Sequence, residues 1–257
     1  MTTPHPLWQE ALGHEATDKR LDILYRIGQV GSISQAARGA GVSYKAAWQA
    51  VETLSNLAGS PLLEKAVGGK GGGGAKLTPA GLQLLVAAQK LQSARAAVVA
   101  EIQEHSGTTL SQRGVSALGL RTSMRNTLPC TVSRLQRDAG AVRVHLQLDN
   151  GQSLSSRITR ESAQLLGLRP GLPVWALCKA TAVDVTGAAP TDNLTTSNVL
   201  RGTVSRAPAG QRAGEVAVQL GPDLHVMGFA AAGHGLRKGV SAFARVESSA
   251  VVIALSA

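Results

Sequence analysis

The second half of the chain repeats itself, and that constrains the fold more than any other feature. Asn126-Thr127-Leu128-Pro129-Cys130-Thr131-Val132-Ser133-Arg134 returns as Asn198-Val199-Leu200-Arg201-Gly202-Thr203-Val204-Ser205-Arg206. Gly167-Leu168-Arg169-Pro170-Gly171 returns as Gly235-Leu236-Arg237-Lys238-Gly239, and each is followed by an apolar run. Both copies also hold an alternating segment, Val142, Val144, Leu146 and Leu148 in the first and Val216, Val218 and Leu220 in the second. Period two is the signature of a half-buried strand. Asp149-Asn150-Gly151 is a hairpin signal. Each copy spans about 70 residues of short strands, the size of a small OB-fold-like β-barrel. The expected boundaries are 119–188 and 193–257, after a polar linker at 107–118. Two fused copies predict a pseudo-symmetric unit.

Residues 1–106 read differently. Leu21, Leu24, Ile27 and Val30 lie at helical spacing. Ser32 and Gln35 have capping-box spacing, so a helix is expected from Ile33, with small Ala36 and Ala37 admitting a close neighbour. Gly41 suits a left-handed turn residue, and Ser43 an N-cap for a third helix burying Ala47, Val51 and Leu54. Helix, short Gly-containing turn, helix is the helix-turn-helix pattern, although helix pairs without a DNA role share it. On the DNA reading Ser34, Ser43, Tyr44, Lys45 and Gln49 face the duplex, the start of the third helix entering the major groove. Trp48 is expected mainly in the core. Two short strands flanking Gly68-Gly69-Lys70-Gly71-Gly72-Gly73-Gly74 form a wing whose Lys65, Lys70 and Lys76 suit phosphates. A nucleotide-binding loop would need GK[ST] between strand and helix, and neither is there. Thr78-Pro79 then caps a helix carrying Leu82, Leu85, Leu91, Val98 and Ile102 to about His105. Such an apolar-striped helix serves as a dimerisation arm or packs on its own domain. A two-fold protein matches a palindromic operator.

Charge alone would misplace the DNA reader. The net charge is +10, but residues 1–106 hold 10 Lys/Arg against 8 Asp/Glu and residues 107–257 hold 16 against 8. Hydrophobic residues make up 44% of the chain and aromatics 3%, so the core is aliphatic. No run reaches the roughly 18 apolar residues of a spanning helix, and the first twenty residues lack signal-peptide order. Cys130 and Cys178 have no CxxC spacing, which argues against a disulfide framework or zinc ribbon. A reduced cytoplasmic protein without membrane contact is expected. The six histidines have no metal-ligand spacing and no nucleophile–base constellation is visible, so no enzyme is expected. His145 is expected to face outward from its strand.

A tetrahedral oxyanion requires several hydrogen-bond donors, fixed cations and no nearby carboxylate. Thr122-Ser123-Met124-Arg125-Asn126 packs hydroxyls, a guanidinium and backbone N–H groups into five residues, with Ser162 and Lys179 further along the copy. The same residues suit a plain polar strand edge.

The run SISQAARGAGVSYKAAWQAVETL, the wing EKAVGGKGGGGAKLTPAG and the TSxRN segment closely resemble the ModE-type molybdate-dependent transcription regulators over nearly the whole chain. SNVLRGTV in the second copy looks like the opening strand of one of that family's Mop domains. The resemblance implies an α+β multidomain fold, a winged helix-turn-helix followed by two tandem Mop domains, and a homodimer that binds molybdate (or tungstate) at the interface of those domains. It places Ser123, Arg125 and Asn126 in the anion motif, Lys179 as the binding lysine, and Ser162 with Ala163 as residues given by the partner subunit. Met124 and Cys130 depart from the family's alanine and glycine. The second copy lacks the arginine and sets Glu247 where the first has Lys179, so the first copy is expected to hold the principal site.

The function implied is molybdate-responsive operator binding, repressing molybdate transport genes and in some settings activating molybdoenzyme or cofactor genes. A molybdate- or tungstate-storage protein without operator binding is the alternative. A LysR-type regulator shares the first domain, but its larger α/β effector domain does not fit the repeat.

Overall fold

A computed structural model describes residues 18–66, 74–105, 122–190 and 196–255. These fall into two compact units, one of residues 18–105 with 161–167, the other of 122–160 with 168–255. The linker expected at 107–118 lies outside the described residues.

The first unit begins with α1 (Lys19–Val30), α2 (Ile33–Gly39) and α3 (Tyr44–Ala58). Their starts follow the capping residues. Asp18 Oδ1 accepts from Arg20 N, Ser32 Oγ from Gln35 N and Ser43 Oγ from Ala46 N. Gly41 turns the chain at φ +67° between α2 and α3. Ile23, Ile27, Ala36, Ala37, Ala47, Ala50 and Val51 form one core cluster, in which the small alanines let the helices approach closely. Leu24, Leu54, Leu62 and Leu85 form a second. Strands β1 (Leu63–Ala66) and β2 (Gly74–Leu77) pair antiparallel, Leu63 with Leu77 and Ala66 with Gly74. The tip they carry, with Lys70, lies outside the described residues. Thr78 Oγ1 accepts from Gly81 N and starts α4 (Pro79–His105), 27 residues and about 40 Å long at 1.5 Å per residue. Of its expected apolar stripe, Leu85 is buried, while Leu82, Leu91 and Val98 are exposed, as is Val86.

The second unit holds both repeats as two OB-like sheets. Strands β3 (Asn126–Asp138), β4 (Ala141–Leu148), β5 (Ser153–Thr159) and β6 (Pro173–Cys178) come from the first copy; helix α5 (Arg160–Leu165), which follows β5 in the chain, groups with the first unit. β8 (Ser197–Arg206), β9 (Gly214–Gly221), β10 (Leu224–Ala230) and β11 (Ser241–Glu247) repeat that order in the second. β4 buries Val142, Val144, Leu146 and Leu148 on one face, as its alternation predicts. Both copies carry one bulge at the same point, between Val132 and Arg134 and between Val204 and Arg206. This register equates Leu146 with Val218, His145 with Ala217 and Arg143 with Glu215.

The last strand of each repeat is exchanged. β7 (Val183–Thr186), from the end of the first copy, pairs with β11 of the second. β12 (Val252–Ala254), from the end of the second, pairs with β6 of the first. The sheets therefore run β12-β6-β3-β4-β5 and β10-β7-β11-β8-β9, and the repeats do not coincide with the sheets strand for strand. Only the latter closes into a hydrogen-bonded barrel, through the Phe229–Asp184 pair of β10 and β7. The register explains this difference. Gly228 of β10 occupies the position of Ser156 in β5, and a Cβ there would lie 2.7 Å from Val183 O and 2.6 Å from Val185 Cγ2. In the first sheet the fully buried Ser156 hydroxyl instead donates to Val251 O at 2.5 Å, joining the exchanged segment through a side chain.

Gly228→Ala is expected to destabilise the second unit by about 1–3 kcal/mol, the cost of overpacking a close backbone approach. Urea unfolding measures it, and a loss under about 0.5 kcal/mol, the range of a neutral surface change, means that β7 gives way.

Candidate functional site

Two sets of residues carry chemistry, one in each unit. In the first, α3 begins at Ser43 and buries Ala46, Ala47, Ala50, Val51 and Leu54, which leaves Tyr44, Lys45 and Gln49 exposed at its N-terminal end. Ser34 is exposed on the first turn of α2. The expectation for Trp48 needs correction. It is 45% exposed, one residue off the alanine face, and its Nε1 donates to Glu52 Oε1 at 2.9 Å. Lys45 Nζ lies 3.2 Å from Glu161 Oε1 in the same unit, an ion pair weakened by the lysine's exposure. Lys65 lies on β1 opposite Ala75, and Lys76 is exposed on β2. Hydroxyls, an amide and cations thus share a helix start, with a two-stranded ribbon following. That is the donor set for base edges and phosphates.

In the second unit the first copy enters β3 through Thr122-Ser123-Met124-Arg125. Thr122 Oγ1 accepts from Met124 N at 3.1 Å, an ST-type turn that holds the segment bent. Ser123 and Arg125 are exposed. β3 pairs with β6 in a register that sets Asn126 opposite Cys178, so the next rung outward holds Arg125 and Lys179. Two cations far apart in sequence thereby meet at one sheet end. Lys179 is exposed and has no ion-pair partner among the described residues. Arg125 Nη1 lies 3.2 Å from Glu215 Oε2 of the second copy.

The Asn126 side chain bridges the two copies. It is 1% exposed, its Nδ2 donates to Met227 O at 2.8 Å, and its Oδ1 accepts from Met227 N at 2.6 Å. Its second-copy counterpart Asn198 does the same to Ser155, Nδ2 donating to Ser155 O and Oδ1 accepting from Ser155 N at 2.6 Å. Each asparagine clamps the middle of the other copy's strand. Asn126 thereby fixes the backbone beside Arg125.

Ser162 and Ala163 lie on α5, which groups with the first unit, whereas Ser123, Arg125 and Lys179 belong to the second. The two departures from the family motif fall apart in space. Met124 lies in the bent Thr122–Arg125 segment. Cys130 is fully buried between Leu148 and Val174 on the neighbouring strands, its Sγ 3.4 Å from Leu128 O. Burial pushes the Cys178 thiol up, which keeps it an unreactive packing group.

The equivalent end of the second copy carries opposite chemistry. Ser197 stands for Arg125 and Glu247 for Lys179, paired across β8 and β11. Glu247 accepts from Ser197 Oγ at 2.5 Å, and Arg245 reaches both, by Nε to Ser197 Oγ at 3.2 Å and by Nη2 to Glu247 at 3.6 Å. The Ser197 hydroxyl, assisted by Thr196 and Arg245, holds the Glu247 carboxyl below its ordinary range. A carboxylate already fills this end. Sequence reasoning did not find Glu215 or Arg245. The reversal from Arg143 to Glu215 in the aligned repeats is the one signal that points to the first.

His145 faces the side of its strand away from the core, with Nε2 3.2 Å from Arg134 Nη2, and its pKa is lowered by burial and by Arg134 and Arg143. No cluster of metal-ligating side chains occurs among the described residues, and none of their helices is long and apolar enough to cross a membrane.

Known proteins match both units. Residues 19–82 match the bacterial regulatory helix-turn-helix family of lysR type, and residues 122–185 match the TOBE domain. The molybdenum-pterin-binding protein MopB of Rhodobacter capsulatus is 36% identical, covering 96% of this chain and 92% of its own. The molybdenum transport protein ModE of Azotobacter vinelandii is 33% identical over 95% of this chain and 94% of its own. The DNA-binding transcriptional dual regulator ModE of Escherichia coli K12 is 34% identical over 81% and 80%.

Removing the Asn126 amide leaves two half-buried backbone groups of Met227 without their partner. Asn126→Ala is expected to lose about 2–3 kcal/mol of stability in the absence of any ligand. Equal denaturation midpoints for variant and wild type would show that the clamp is dispensable.

Proposed function

The chain belongs to the ModE family of molybdate-responsive, DNA-binding transcription regulators, and from that premise we propose how its residues divide the work. The observation that carries the ligand half is the rung that brings Arg125 and Lys179 to one sheet end beside the Ser123 segment. Molybdate is a dianion at neutral pH, and two cations with a hydroxyl and backbone N–H groups supply donors without a required acceptor. Phosphate keeps a proton at that pH, and a shell of donors leaves that proton unpaired. Sulfate has the right charge but a smaller radius, so its rejection rests on size. Tungstate, nearly the size of molybdate, binds comparably.

Ser162 and Ala163 complete the shell from a second subunit. The dimer forms along α4, whose Leu82, Val86, Leu91 and Val98 are exposed apolar side chains on a helix too long for its own unit to cover. Ser34, Ser43, Tyr44, Lys45 and Gln49 read the operator, with Lys65 and Lys70 on wing phosphates. The chain acts in the cytoplasm and represses molybdate transport genes, with activation at molybdoenzyme or cofactor genes as its second output. Storage without operator binding explains the sheet end but leaves the donor set at the start of α3 without a purpose. The relatives are named as regulators, transport proteins and binding proteins rather than enzymes.

Calorimetric titration with molybdate, with sulfate and phosphate as controls, and binding to operators selected from a random duplex library test this reading. Molybdate is expected to raise operator affinity about 5- to 150-fold, a coupling of about 1–3 kcal/mol. Arg125→Ala is expected to abolish that response and leave basal DNA binding intact. A normal response would move the site elsewhere. Leu91→Glu is expected to shift the sedimenting species from dimer to monomer, and an unchanged dimer would place the interface off α4.

A further inference from the structure

Glu215 sits on β9 at the position that Arg143 occupies on β4 of the first copy, so the duplicated position has reversed its charge. Its carboxylate is shared. Oε2 lies 3.2 Å from Arg125 Nη1, and Oε1 accepts from Arg206 Nη2 at 2.7 Å. The Glu215 side chain is 25% exposed and that of Arg125 58%, so the glutamate is the more anchored partner and the arginine the one that moves. An oxyanion on Arg125 competes with this carboxylate for the same guanidinium, and both negative charges cannot share it without repulsion.

We propose that Glu215 is an internal competitor that sets the affinity of the anion site. It occupies Arg125 while the site is empty and yields to the oxyanion, and Arg206 keeps the displaced carboxylate neutralised. The inference rests on the assignment of Arg125 to the site. It also explains why Arg206 belongs to the device: without it, Glu215 has only Arg125 as cationic partner and holds it more firmly. The competitor raises the concentration at which the regulator responds, by the same factor for every anion that must displace it.

The carboxylate of the device and its second cation, Glu215 and Arg206, predict opposite effects, which general damage to the fold does not produce. In calorimetric titration of the full chain with molybdate, Glu215→Gln is expected to lower Kd about two- to fivefold, the scale of an exposed ion pair. Arg206→Gln is expected to raise it by a similar factor, and carries the test if the Glu215 variant does not fold. Arg125→Ala runs alongside. If it abolishes binding while Glu215→Gln and Arg206→Gln match wild type, the competitor is overturned and the site stands. If Arg125→Ala binds as wild type, the site itself is wrong and the competitor falls with it.

Discussion

Two buried asparagines hold the repeated half of this protein together. Asn126 and Asn198 each use both ends of the amide on one backbone residue of the opposite copy, Met227 and Ser155. A side-chain amide is the one group that presents a donor and an acceptor at the spacing of a backbone peptide, so each mimics a strand partner without supplying a strand. The exchange of β7 and β12 reinforces the same joint, since each sheet is completed by the other copy's last strand. Neither copy has a complete sheet alone. Everything at the Arg125 end follows from that joint, because Asn126 is the next residue and fixes where the anion segment enters β3.

Much of the local architecture was legible because it is written in short-range patterns. Ser32, Ser43 and Thr78 cap the helices they were expected to cap, the wing strands form on both sides of the glycine run, and β4 alternates as read. The strand exchange was not legible. Val183 and Val185 match Val251 and Ile253 in pattern, and an alternating apolar strand fits either sheet equally well. The choice is made by long-range closure, where Gly228 admits β7 and Ser156 bonds the Val251 carbonyl. Trp48 was misjudged for a related reason: a large aromatic suggests a core, but the core of α3 is built from alanines that leave no room for one. The roles of Asn126 and Glu215 depend on contacts 101 and 90 residues away in sequence, and no periodicity reports such contacts.

The two copies show how a duplicated frame was divided. In one, the outer rung of the first and last long strands carries Arg125 and Lys179. In the other it carries Ser197 and Glu247, with Arg245 alongside. The paired strands keep the same register at both ends, and the side chains on the outer rung differ in charge. The second end has supplied its own anion, held ionised by a hydroxyl and a guanidinium from adjacent strands. It needs no ligand to be neutral, and an oxyanion there would meet a carboxylate with its donors already engaged.

Glu215 and Glu247 are thus the same chemistry used in two strengths. Glu247 and its donors Ser197 and Arg245 all belong to the second copy, on the paired strands β8 and β11. Glu215 reaches across to a guanidinium of the first copy that is more than half exposed and tethered at a bent segment. Displacing it costs only an exposed ion pair, a fraction of what a charge-assisted oxyanion shell returns. An internal carboxylate can therefore occupy one sheet end and tune the other, and which it does is decided by how firmly the opposing arginine is held, Arg245 at 31% exposure against Arg125 at 58%.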